Sequence, residues 1–141
     1  MDIKHIQEYL AAHDEFGKWL NIKIDEMGPG YAKTSMGMEK HLLNSANVAH
    51  GGAIFALVDL ALAAASSTYG KLALTATANI SYIAAGKVGP ITAVARELSK
   101  TRRLGTYEVK VTDGNGETIA IAQATMYKKS EPYPPVEEGQ Q

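Results

Sequence analysis

The 141-residue sequence contains no cysteine, which excludes disulfides, thiolate metal sites and cysteine nucleophiles together. It has no excess of charge: 14 Lys plus Arg stand against 15 Asp plus Glu, a net charge of −1. Gripping a nucleic-acid backbone needs a clear basic surplus. It also lacks a membrane-length apolar run. The longest, Ala53–Ala65, is broken by Asp59 and is far short of the ~20 residues of a span. Met1–Leu10 carries Asp2, Lys4, His5 and Glu8, unlike the apolar core of a secretory signal. No Gly-x-Ser-x-Gly elbow, Walker loop or Gly-x-Gly-x-x-Gly occurs, and the four histidines, at 5, 13, 41 and 50, lack the paired spacing of a zinc helix. No metal site, nucleic-acid partner or membrane contact is expected. With 45% hydrophobic and 21% charged residues, the chain reads as one ordinary cytoplasmic domain.

Charge is also missing locally. Leu42–Ser81 holds two charged residues, Asp59 and Lys71, so this stretch is expected to form the buried centre, and an acid inside it needs a reason. Lys87–Lys110 is the opposite, with six basic residues against Glu97 and Glu108. A local basic cluster on a neutral protein suits one small anionic ligand.

Ile3, Ile6, Leu10 and then Phe16 recur at roughly helical spacing and predict an amphipathic helix at the N-terminus. Leu20, Ile22 and Ile24 alternate as in a strand, Gly28-Pro29-Gly30 marks a turn, and Tyr31–Met38 returns as a second strand. Ala53–Ser67 is apolar on every face, the pattern of a helix buried all round. Four strands follow, at Leu72–Ile83, Ile91–Ser99, Gly105–Thr112 and Glu117–Tyr127, the last two joined through Asp113-Gly114-Asn115-Gly116. Residues 1–129 form one domain in this reading. From Ser130 the composition turns to Glu, Pro, Gly and Gln, so 130–141 is expected to be a disordered tail. The order favours an α+β fold, an antiparallel sheet wrapped around a long central helix.

The chemistry concentrates in Asn44…His50-Gly51-Gly52…Asp59. Two glycines at a helix start admit close approach to the backbone. The first helical N–H groups there are unpaired and carry partial positive charge, which suits a carbonyl oxygen gaining negative charge. A plain loop-to-helix turn that needs glycine for its φ angle is the competing explanation. Asp59 lies about seven residues into that helix, or roughly 10–11 Å at 1.5 Å per residue. A carbonyl at the helix start therefore cannot also lie within ~3 Å of Asp59. A twofold pair with antiparallel helices would bring one chain's Asp59 to the other chain's Gly51.

The run from Asn44 through His50-Gly51-Gly52 to Asp59 resembles the signature of the hot-dog-fold acyl-CoA thioesterases, in particular the phenylacetate-degradation, PaaI-type branch. Phe16 to Trp19, Met36-Gly37-Met38, Ala65-Ser66-Ser67, Asn79–Ile83 and the closing strands around Asp113-Gly114 and Ile119-Ala120 fit the same resemblance, which spans roughly Phe16 to Lys128. It implies Asp59 as nucleophile or general base. Gly51 would polarise the thioester oxygen, with Gly52 beside it as a substrate contact. Asn44 would position water or the carboxylate, and His50 would support the carbonyl end or the loop. Thr75 or Thr77 would supply a hydroxyl near the site. Lys100, Arg102 and Arg103 would hold the coenzyme A phosphates, since a guanidinium matches phosphate oxygens. The implied activity is hydrolysis of an aromatic or medium acyl-CoA. No separate cofactor is needed, because coenzyme A is part of the substrate. The implied assembly is a homodimer with shared sites, or a homotetramer of paired dimers. A hot-dog dehydratase or hydratase and a non-catalytic acyl-CoA-binding protein are the competing functions.

Overall fold

The computed structural model describes residues 2–137. Asp2 accepts a hydrogen bond from the Lys4 N–H at 2.9 Å and caps the first helix, α1 (Ile3–His13). Asp14 then interrupts the helical run. Its carboxylate accepts from the Gly17 N–H at 2.7 Å and starts a second, five-residue helix, α2 (Glu15–Trp19). The N-terminal helical pattern is therefore split in two. Phe16 stands outside the core, 58% exposed.

The strands are β1 (Lys23–Gly28), β2 (Tyr31–Met36), β3 (Lys71–Tyr82), β4 (Ile91–Lys100), β5 (Leu104–Thr112) and β6 (Thr118–Pro132). They form one antiparallel sheet in the order β1-β2-β4-β5-β6-β3. The long helix α3 (Gly51–Ser67) packs against all six strands. Leu57, Val58, Ala61, Leu62, Ala64 and Ala65 of α3 are fully buried, facing Ala93, Ala95, Val109, Val111 and Ile119 in a single core. Thr34 of β2 donates to the Leu57 carbonyl at 3.0 Å, tying helix to sheet at mid-length. This is the α+β architecture that the residue pattern predicts.

Two expectations need correction. The helix α3 is not buried all round: Gly52 and Asp59 are exposed and Phe55, Ala56 and Ala63 are half-buried, making one accessible stripe at helical spacing. The tail is also ordered beyond Ser130. The strand β6 continues to Pro132, the Tyr133 N–H donates to the Gly70 carbonyl at 2.9 Å, and the Tyr133 ring meets Tyr9 edge-on at 5.6 Å. An apolar ring packed on α1 outweighs the local Pro and Glu content. Residues 138–141 of the expected tail lie outside the described residues. Among the described residues no helix is long and apolar enough to cross a membrane.

Candidate active site

The loop before α3 is shaped by Asn44. Its Oδ1 accepts from the N–H groups of Ala46 at 2.9 Å and Val48 at 3.3 Å, closing an Asx turn. The side-chain NH2 of Asn44 has no partner among the described residues, and Asn44 lines a groove of about 410 Å³ with Val48, Ala49, Gly51, Ile54 and Tyr82. His50 is the N-cap of α3: its Nδ1 accepts from the Gly52 N–H at 2.8 Å. An accepting Nδ1 leaves the neutral ring's proton on Nε2. His50 thus caps the start of α3 through Nδ1. The same bond occupies the Gly52 N–H, so Gly52 offers no backbone donor to a substrate, contrary to the expectation that it would act beside Gly51.

Gly51 is different. No partner for its N–H occurs among the described residues, while its carbonyl accepts from the Tyr82 hydroxyl at 2.9 Å. Its φ is not in the left-handed region, and a Cβ there would meet Tyr82 at an ordinary 3.5 Å. Neither backbone conformation nor space within the chain demands glycine at this position, so the turn explanation fails. Tyr82, which fixes the Gly51 peptide, was not singled out by residue type; its place at the end of β3 reveals it.

Asp59 lines a second groove, of about 330 Å³, together with Asp14, Phe16, Gly17, Gly52 and Phe55. The two halves of the motif therefore open into different grooves of one chain. Gly51 and Ile54 point one way along α3, while Gly52, Phe55 and Asp59 point another. Asp59 reaches solvent through the open side of its groove instead of being enclosed, as the charge-poor sequence had suggested. Its apolar surroundings still push the carboxyl above the ordinary carboxylate range. The Thr75 hydroxyl, donating to Oδ1 at 3.4 Å, opposes that shift, and the negative charge of Asp14 adds to it. The open side keeps water near the carboxylate and limits the size of the shift. Asp14, a second acid in the groove, has one oxygen committed to the Gly17 N–H.

Thr75 and Thr77 are now distinguished. The β3–β6 pairing slips between Thr75 and Thr77, and the extra residue sends them to different surroundings. Thr75 turns to Asp59 and Met126, whereas Thr77 lines an outer groove with Asn79, Thr106, Gln123 and Thr125. Thr77 thus does not reach Asp59 of its own chain.

The basic residues divide similarly. Arg102 and Arg103 line a pocket with Lys71, Lys128 and Lys129, three lysines that the sequence reading missed because pairing of β6 with β5 and with β3 brings them there. Lys100 is instead turned onto the Tyr69 ring, with Nζ 3.8 Å from the centroid. Partial burial, with Lys100 nearby, lowers the Lys128 ammonium below the usual lysine range, and Glu97 partly restores it. Among the described residues no cluster of three His, Asp or Glu is placed to hold a metal ion.

Comparison with known proteins adds the family. Residues 46–120 match the Thioesterase superfamily. A putative esterase of Archaeoglobus fulgidus is 39% identical over 134 residues, covering 94% of this chain and 87% of the relative. The acyl-coenzyme A thioesterase PaaI of Escherichia coli is 27% identical over 117 residues, covering 82% and 84%. The solved PaaI structure superposes with a TM-score of 0.88 over 92% of this chain and 95% of its own, at 24% identity. A Streptococcus mutans protein, smu.793, solved with acetyl CoA bound, superposes with a TM-score of 0.73 at 27% identity, covering 77% and 89%. With its six-stranded sheet around α3, its PaaI-like relatives and its match over residues 46–120, this chain belongs to the thioesterase superfamily and is a thioester hydrolase of the hot-dog fold.

Proposed function

We propose that the protein hydrolyses an acyl-CoA thioester with an aromatic, phenylacetyl-type or medium acyl group, at a site made by two copies of the chain. The carrying observation is the division of the motif between two grooves of one rigid helix, Asn44 and Gly51 in one and Asp59 in the other. From Gly51 to Asp59 is eight residues, about 12 Å along the axis and about 80° around it. Two antiparallel helices would complete two equivalent sites. The edge position of β3, where Leu74 and Tyr82 are exposed, supports such a pairing. A further pairing into a tetramer belongs to the same reading.

In the completed site the Asp59 carboxylate takes a proton from water, and the resulting hydroxide forms a bond to the thioester carbonyl carbon. The carbonyl oxygen becomes an oxyanion and accepts from the Gly51 N–H, whose donor strength gains from the start of α3. The free NH2 of Asn44 holds the water. Collapse breaks the carbon–sulfur bond, and the departing thiolate takes up the proton, giving the free acid and CoA. The phosphates of CoA rest against Arg102 and Arg103 with Lys71, Lys128 and Lys129, and the reaction needs no further cofactor.

The test is incubation with phenylacetyl-CoA and a thiol-detecting reagent. Stoichiometric thiol release supports the proposal. A hydratase or a binding protein would release none, and that result would refute it.

A further inference from the structure

We propose that Phe16, on the short helix α2, is a specificity-determining wall of the acyl-binding groove, which with Phe55 receives a flat aryl acyl group; this rests on the hydrolase reading above. The chain has two phenylalanines, and both line the groove that Asp59 opens into. The attacked carbon must come within about 3–3.5 Å of the water that Asp59 activates. The carbons beyond it therefore continue into this groove. Charge excludes the other end of the substrate: the groove carries Asp14 and Asp59 and no cation, whereas the five cations around Arg102 and Arg103 lie in a separate pocket. Phosphates go to the cations and the uncharged acyl end to the phenylalanines.

The wall is held close by Gly17, where a Cβ would lie 2.9 Å from Asp14 Oδ1 and 3.2 Å from Leu60 on α3. Phe16 itself stays 58% exposed, backed by Trp19 with ring centroids 6.1 Å apart. An aromatic face left open beside a carboxylate suits stacking with a second ring.

The experiment compares kcat/KM for phenylacetyl-CoA and decanoyl-CoA in the parent, Phe16→Ala and Gly17→Ala, with inhibition by free CoA measured beside it. Phe16→Ala removes the ring, and Gly17→Ala crowds the Asp14 carboxylate that caps α2 and the Leu60 side chain of α3. The ratio favouring phenylacetyl-CoA is expected to fall about tenfold in Phe16→Ala and in the same direction in Gly17→Ala, with inhibition by CoA unchanged. An unchanged ratio in Phe16→Ala, with the esters still hydrolysed, overturns this inference and leaves the hydrolase reading standing. Equal loss on both esters with dissociation of the assembly shows the groove to be a subunit contact and also overturns it. If the parent releases CoA from neither ester, both readings fall.

Discussion

Complementation between two inactive variants tests the shared site directly. Asp59→Asn removes the base, and Asn44→Asp is the matched lesion in the other groove. The latter keeps the Oδ1 that accepts from Ala46 and Val48, so the Asx turn survives while the free NH2 is lost. Each variant alone should lose about 10²–10⁴ in turnover, the usual cost of losing a group that acts on the reacting proton. In one chain the two lesions lie in separate grooves, Asn44 in the loop before α3 and Asp59 on α3 itself, and Gly51 in the Asn44 groove is about 12 Å along the axis from Asp59. A hybrid dimer therefore gathers both lesions into one site and leaves the other intact. Random exchange of equal amounts makes about half of the dimers hybrid, each with one working site of two. The mixture should then recover about a quarter of parental activity per chain, well above the residue left by either variant. The assay is thiol release after mixed refolding, with hybrid formation verified by native mass spectrometry. Confirmed hybrids with no activity beyond the sum of the two variants would refute the two-chain geometry.

The raised carboxyl of Asp59 carries a sign for stability. Because folding favours its protonated form, its contribution is fully present below the unfolded pKa and is lost as pH rises through the raised folded value. Asp59→Asn should therefore melt with the parent in acid and above it at neutral pH; thermal melts across pH check this, and a lower neutral melting point would contradict it. Turnover should rise with pH on an acidic limb displaced above the ordinary carboxylate range. Thr75→Val, which removes the bond holding that value down, should move the limb further up, while Thr77→Val leaves it in place. Arg102→Ala with Arg103→Ala should raise KM for CoA esters several-fold with kcat nearly constant, the pattern of lost uniform binding. Added salt should imitate the pair, since exposed charges are screened within about 10 Å at 0.1 M; a fall in kcat alone would remove both arginines from the phosphate site.

The helix and its motif were legible because they are local. The order of elements, the start of α3 at the Gly51-Gly52 pair and the Gly51–Asp59 spacing all follow from neighbouring residues. The exposure of Asp59 was misread because a lack of charge around a residue does not say which face of the helix it takes, and the stripe from Gly52 to Ala63 is accessible in the chain. The choice between Thr75 and Thr77 depended on a register slip in β3, which no residue type at those positions announces. Lys128 and Lys129 join Arg102 and Arg103 through pairing of β5 with β6, and Lys71 through pairing of β3 with β6. Asp14 was hidden by its cap role. It appears as a site neighbour only once α2 is seen folded against α3.

The strand order has a consequence for synthesis. In the sheet β3 neighbours β6 and nothing else, although β3 spans residues 71–82 and β6 spans 118–132. While the chain is being made, β3 follows α3 out of the ribosome and must wait for the final strand before either of its edges is covered. Through that interval it is a twelve-residue extended segment with both edges open, the kind of intermediate that aggregates. The Thr75–Asp59 contact depends on the same strand, which before β6 arrives is held in place only by α3. Interruptions of synthesis before residue 118 should thus yield insoluble fragments despite a complete α3, and the chemistry of this protein is assembled last.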